Sequence, residues 1–273
     1  MTVAVLGAGW LGAAVAAALP GDVMATNRSG TRSPALGADI ELHALDLLRD
    51  DVRTHAIVRA DTWVVAVAPG RDQGREAVYL EGARRMLAAL PHAPSRRLVW
   101  IGSTSALPDL DAELDEDCTA WPEHERGRIQ RQAEGLVAEA CGRAGTPWFV
   151  LRMGGLYGPG RELARLYGGE ATGPRAAARP SHGMNATNLV HRDDAVAAVL
   201  AAIAQPRERS GIVHVVDDDH CPRRTMIDHA RREAGLPPAI WADADERVIG
   251  KRVRNDRLRS WLGVTLAHPR HGG

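Results

Sequence analysis

The 273-residue chain carries 34 Lys plus Arg against 34 Asp plus Glu, a balance that argues against bulk attraction to nucleic acid or an anionic membrane. Only one of those basic residues is a lysine, Lys251, so a Walker A phosphate loop is excluded. The three cysteines (Cys118, Cys141, Cys221) have no CxxC spacing, and no run of about 20 apolar residues exists, so the expectation is a reducing, cytoplasmic compartment with no membrane partner.

From the N-terminus, Thr2–Leu6 reads as a strand, and Leu11, Val15 and Leu19 then recur at helical spacing. The apolar run from Val3 to Leu19 lacks a basic segment before it and is broken by glycines, so it is not read as a secretory signal. Asp22–Ala25 is a second short strand, closed by the turn residues Asn27-Arg28-Ser29-Gly30. A third strand precedes Asp46-Leu47. Thr62–Ala68 is a buried strand ending at Pro69-Gly70, and Tyr79–Leu90 is helical. Arg97–Ile101 is a fifth strand, stopped by Gly102-Ser103-Thr104-Ser105. Ile129, Ala133, Leu136, Val137 and Ala140 share one helical face, and Trp148–Leu151 returns to strand. Gly154 to Gly183 is rich in Gly, Pro, Ala and Arg and reads as a long loop with room for one helix. Asp193–Ala204 is helical, Ile212–Val216 a strand, and Thr225–Ala234 a helix ending at Gly235; an arginine-rich lobe follows. This alternation predicts a doubly wound α/β fold of Rossmann type with a parallel sheet. The expected division is a dinucleotide-binding domain over 1–152 with 186–216, and a smaller discontinuous substrate lobe over 153–185 with 217–273.

Gly7-Ala8-Gly9-Trp10-Leu11-Gly12 is a GxGxxG between a strand and a helix. Gly7 permits the tight turn, Gly9 lets a pyrophosphate approach, Gly12 lets helix pack on strand, and the helix N-terminus offers free N–H groups. About 20 residues on, where an NAD enzyme places an acid on the ribose, stands Thr26-Asn27-Arg28-Ser29. Arg28 suits a 2′-phosphate, with Asn27 and Ser29 as further donors, so NADP is expected over NAD. Asp46 and Leu47 either flank the adenine or cap a loop. Ser103 and Ser105, beyond the carboxyl end of a strand, either hydrogen-bond a substrate oxygen or cap the turn.

Together these segments resemble an extended short-chain dehydrogenase/reductase of the NAD(P)-dependent epimerase/dehydratase group, most of all its atypical members. The resemblance rests on GAGWLG at 7–12, the serine cluster at 103–105, LRMGGLYGPGR at 151–161, NLVHRDDAVAAVL at 188–200 and GKRVRNDRLRSWLG at 250–263. It implies a catalytic Ser plus Tyr-x-x-x-Lys, and Ser103 matches the serine. The other two positions hold Arg126 and Gln130. Four residues after Tyr79, Tyr157 and Tyr167 come Ala83, Arg161 and Ala171, so no Tyr-x-x-x-Lys exists anywhere. Arg126 stays charged and cannot be the acid/base, but it can neutralise a substrate carboxylate or phosphate. Gln130 can keep the ribose hydrogen bonds without the charge. The resemblance also implies a homodimer through the helices at 73–90 and 123–144.

The expected cofactor set is therefore Gly7, Gly9, Trp10, Leu11, Gly12, Asn27, Arg28, Ser29, Asp46, Leu47, Ala68 and Gln130. Ser103, Ser105 and Tyr157 are the expected catalytic residues, and Ser103, Arg126, Met153 and Tyr157 the expected contacts to a small-molecule substrate. His124 is either a proton carrier or a surface residue. His191 with Asp193-Asp194 is expected to cap a helix and dock the lobe. The acids Asp109, Asp111, Glu113, Asp115, Glu116 and Asp117 read as a solvated loop, not a metal site. Arg161, Arg165, Arg175 and Arg179 form either a lid or a soluble loop, and His268 and His271 read as tail residues. The functional expectation is an oxidoreductase or epimerase acting on a small polar or anionic substrate, with a non-catalytic NADP-binding sensor or scaffold as the rival.

Overall fold

Val3–Leu6, apolar at every position and wholly buried, forms β1, an interior strand of the computed structural model, which describes residues 1–70, 72–93, 97–167, 183–241 and 247–271. A strand buried on both faces needs apolar residues throughout rather than alternation, and this run supplies them. It is followed by α1 (Trp10–Ala18), β2 (Val23–Asn27), β3 (Glu41–Ala44) and β4 (Thr62–Val65). A π-helical segment, Ala77–Gly82, leads into α2 (Ala83–Leu87), so the helix expected over 79–90 starts earlier, at 75, is π-helical over 77–82 and ends at 87. Then come β5 (Arg97–Ser103), β6 (Glu113–Leu114), α3 (Glu125–Ala144) and β7 (Trp148–Met153). The segment read as a loop contains β8 (Gly155–Tyr157) and α4 (Leu163–Tyr167); residues 168–182, with Arg175 and Arg179, lie outside the described residues. The chain closes with β9 (Leu189–His191), α5 (Arg192–Ala204), β10 (Gly211–Val215), α6 (Arg223–Glu233), β11 (Arg252–Val253) and α7 (Asp256–Ser260).

The main sheet has seven parallel strands in the order β3-β2-β1-β4-β5-β7-β10. Chain direction across the sheet reverses between β1 and β4, where an open α/β sheet leaves a crevice at its carboxyl edge. On one face Val3, Val5, Val64, Val99, Phe149 and Val213 pack under α1 and α5 through Val15 and Val199. On the other, Leu6, Trp63, Val65, Leu98, Trp100 and Val150 pack under α2 and α3 through Met86 and Val137.

One charged network crosses that second layer. Arg152 of β7 donates two bonds to Glu134 of α3, at 2.8 and 2.7 Å, with both side chains almost wholly buried. Its remaining Nη1 lies 3.2 Å from His214 Nε2, across the register pair His214↔Arg152. Arginine has no acceptor, so Nε2 accepts and His214 Nδ1–H donates to the Arg254 carbonyl at 3.0 Å. Burial, then the Arg152 charge, pushes His214 down to about 3, so the ring is neutral. In the unfolded chain a histidine takes a proton near pH 6.5. Between that pH and about 3 the unfolded state binds the extra proton, and stability falls as pH falls. The slope should approach about 1.4 kcal/mol per pH unit. Urea melts between pH 7 and 4 should show it, and His214→Gln should flatten it; equal slopes would refute the buried neutral ring.

The C-terminal segment sharpens one expectation and corrects another. Every acid of the stretch at 109–117 except Glu116 is exposed, as a solvated loop requires, yet the stretch also pairs with that segment. Glu113↔Arg252 and Leu114↔Val253 pair β6 with β11, Glu116 is buried and accepts from the His214 N–H at 3.0 Å, and Arg247 and Arg252 bind Asp111. The lone lysine belongs here: Lys251 Nζ is 2.8 Å from Asp109 and 3.2 Å from the Leu107 carbonyl. The acids are a docking strip for the arginine-rich segment. His268 and His271, by contrast, are not tail residues. The His268 ring stacks on His191 at 3.7 Å, and the His271 side chain is wholly buried against Asp217 at 2.6 Å. Asp194 accepts from the Ala267 and His268 N–H groups at 2.7 and 3.0 Å, holding this segment on α5.

Candidate functional site

The crevice between β1 and β4 is a cleft of about 560 Å³, within the size range of small-molecule sites. At its floor Gly7 has φ +95°, and a Cβ there would stand 2.7 Å from the Ala66 carbonyl oxygen. A Cβ on Gly12 would stand 2.1 Å from the Gly7 carbonyl oxygen. Glycine is required at both positions for the turn to close. Nothing lies within 4 Å of a Cβ placed on Gly9, so that side of the loop is open. No side chain caps the first turn of α1, and no acid stands in it. Its N–H groups and the positive end of its dipole are left for an anion. Gly7, Gly9, Trp10, Leu11 and Gly12 all line the cleft.

At the far end Asn27, Arg28, Asp46, Leu47 and Ala68 also line the cleft, while Ser29 is not among the lining residues. The Asn27 side chain closes its own turn, accepting from Gly30 N at 2.7 Å and donating to the Thr31 carbonyl at 2.8 Å. Arg28 Nη1 donates to both Asp72 carboxylate oxygens, at 3.0 and 2.8 Å. Both partners are largely exposed, so water and salt screen the pair and an incoming anion competes easily.

The other end gathers Ser103, Arg126, Gln130 and Met153, together with Tyr79 and Arg161. Ser103 Oγ accepts from Ser105 N at 3.2 Å and from Ser105 Oγ at 3.0 Å. Its own O–H is thereby left to donate toward the cleft. Ser105 itself is not a lining residue. Gln130 Oε1 is buried without a hydrogen-bond partner among the described residues. Such an orphan acceptor is costly unless a donor arrives, and a ribose hydroxyl would satisfy it. Together with the open glycine loop, this fits a dinucleotide.

Tyr157, expected at the reaction centre, is not among the cleft residues. Its ring packs edge-on against His191 at 5.2 Å and His271 at 6.1 Å. Burial, then the carboxylates of Asp217, Asp194 and Asp219, pushes its phenol far up. His124 is exposed and 3.2 Å from Asp109. Sequence reasoning missed Tyr79, which considered alone looked like one apolar helix residue. In the structure it lies against Gln130, and burial raises its phenol although the Arg75 charge, Gln130 and the Arg126 charge work the other way. Arg161 crosses the cleft wall above Trp10, with Cζ 4.6 Å from the ring, and Trp10 Nε1 donates to the Pro159 carbonyl at 2.9 Å. The 158–161 turn is thus latched to the glycine loop. Arg165 lies outside the cleft and reaches the Gly160 carbonyl at 3.4 Å.

Residues 3–216 match the model of the NAD dependent epimerase/dehydratase family. The chain is 31% identical to a 3-diazoavenalumate denitrifying reductase from Streptomyces sp, over 91% of this chain and 89% of that protein. It is 26% identical to Protein YeeZ from Escherichia coli (strain K12), over 98% of this chain and 96% of that protein. Among solved structures, UDP-glucuronic acid 4-epimerase from Bacillus cereus superposes with a TM-score of 0.80 at 15% identity, covering 98% of this chain and 94% of that one. At that identity the likeness concerns the fold alone.

Proposed function

This chain belongs to the NAD dependent epimerase/dehydratase family, and we propose that it acts there as an NADP-dependent oxidoreductase on a small polar or anionic carbonyl compound. The observation that carries this reading is Arg28 lining the ribose end of the cleft, where its ion-pair partner among the described residues, Asp72, is exposed. A guanidinium so placed suits a 2′-phosphate geometrically and electrically. When bound, the nicotinamide supplies or accepts a hydride. The chain's own groups do the rest. Ser103 donates its O–H to the substrate oxygen, Arg126 holds an anionic substituent, and Gln130 accepts from the ribose. Tyr79, kept protonated by burial, supplies the proton to the developing alkoxide. The reductase name of the 31% identical relative supports redox chemistry.

A second reading, a dinucleotide sensor without turnover, is favoured by Arg126 and Gln130 standing where the family places Tyr and Lys. One experiment separates them. Trp10 lies in the glycine loop, so its fluorescence reports binding of NADPH and NADH. Arg28→Ala should weaken NADPH on the order of 10-fold or more, as expected for lost charge-assisted bonds, and leave NADH nearly unchanged; equal losses would refute the 2′-phosphate role. NADPH oxidation is then followed with carboxylated aldehydes and ketones. The enzyme reading expects turnover that Tyr79→Phe removes while NADPH binding survives. Binding without any oxidation across the panel would select the sensor.

A further inference from the structure

Away from the cleft, four chain segments converge on one point behind Tyr157. The strand β10 runs out into Asp217 and Asp219, Cys221 precedes α6, Thr187 precedes β9, and His271 arrives from the C-terminal segment. His271 Nε2 lies 3.7 Å from Cys221 Sγ. One carboxylate oxygen of Asp219, the Cys221 sulfur and a His271 ring nitrogen all lie within 4.8 Å of one another. The Asp219 carboxylate is held there by backbone groups of the other two residues, accepting from Cys221 N at 3.0 Å and His271 N at 3.3 Å.

We propose that Cys221, His271 and Asp219 form a binding site for a zinc-type divalent cation, with Asp217 as the group that orients His271. Three features carry it. In a tetrahedral site with Zn–S of about 2.3 Å and Zn–N of about 2.0 Å, the two donors stand about 3.5 Å apart, close to the 3.7 Å found here. His271 Nδ1 points at Asp217 Oδ2 at 2.6 Å with both side chains wholly buried. That carboxylate–histidine arrangement fixes the ring and leaves Nε2 to face the cation. Thr187 Oγ1 already donates to the Cys221 carbonyl at 2.8 Å. It accepts in turn from His271 Nε2–H at 2.8 Å and lies 3.6 Å from Sγ, so the cation would take the place of that Nε2 proton. Thr187 Oγ1 or water completes the fourth corner. A thiolate with an imidazole selects zinc over calcium or magnesium, which prefer all-oxygen shells. On binding, the Cys221 thiol proton and any proton on His271 Nε2 pass to solvent, and the cation takes both lone pairs. The cation would tie the C-terminal segment to the start of α6, next to the wall on which Tyr157 packs.

The test uses the full chain with Co²⁺ and Zn²⁺ as probes. Co²⁺ should bind with a thiolate-to-cobalt charge-transfer band, and Zn²⁺ should displace it and raise Tm. Cys221→Ser should abolish both the band and the zinc-dependent rise in Tm, whereas Cys118→Ser should keep them. Asp217→Asn should weaken affinity about 10- to 100-fold, as an orienting partner does. No band in the wild type, or the same band in Cys221→Ser, would overturn the site. So would cobalt binding without thiolate character, which would point to His191, Asp193 and His268 instead.

Discussion

Replacing Arg152 with methionine is expected to cost about 3–5 kcal/mol of folding stability, the usual penalty for leaving one member of a buried ion pair alone. Glu134 is then the stranded group. Its side chain is only 4% exposed, and its remaining cationic neighbour, Arg131, reaches it only at 3.7 Å. Burial, the largest cause of its neutrality, still opposes a proton on His214. For a chain of this size the loss should lower Tm on the order of 10 °C. The double variant Arg152→Met with Glu134→Leu should recover most of it, since an apolar pair of similar volume avoids the desolvation cost altogether. Thermal and urea melts of both singles and the double close a double-mutant cycle. A single variant as stable as the wild type would show that water or Arg131 reaches Glu134 after all.

Gly12→Ala should weaken dinucleotide binding while leaving the sheet intact. The added methyl would lie 2.1 Å from the Gly7 carbonyl oxygen and 3.4 Å from Ala66 Cβ. The nearer atom is backbone, so relief requires α1 or the loop to move. Such overpacking costs about 1–3 kcal/mol, and if the binding-competent loop bears it, affinity falls roughly 5- to 150-fold. The open space around Gly9 provides the companion variant. Gly9→Ala meets nothing in the protein, so it should melt like the wild type and yet bind NADPH more weakly, because its methyl points where the pyrophosphate approaches. Tryptophan fluorescence titration with parallel thermal melts reads both. Unchanged NADPH affinity in Gly12→Ala would remove the glycine loop from the cofactor site.

Most of the fold was legible along the chain. The apolar runs at Val3–Leu6, Thr62–Val65 and 148–151 announce strands buried on both faces. The GxGxxG announces the turn between the first strand and helix, because its demands are steric and local. Boundaries were less legible where tertiary contacts override local pattern. The segment before α2 adopts a π-helical turn, and β8 lies inside what composition marks as loop, held by pairing with β9. At the site, Ser103, Arg126, Gln130 and Met153 come to one cleft with the glycine loop, whereas Tyr157 and Ser105 do not line it. Tyr79 was invisible because nothing in its neighbourhood along the chain marks a cleft residue; Gln130 approaches it from another helix.

The sequence by itself determined the parallel sheet, the dinucleotide crevice and the missing Tyr-x-x-x-Lys pair, since periodicity, glycine spacing and residue identity are properties of short windows. Only the tertiary structure decided what the charged residues do. Lys251 finds Asp109 across 142 residues of chain, and His271 finds Asp217 across 54. Glu116 among the acids that read as solvated, and His271 among the histidines that read as a tail, are buried beside partners because burial penalises an unpaired charge. The partners that relieve that penalty were distant in sequence, and only the closing of the C-terminal segment onto α5 and β6 brought them together.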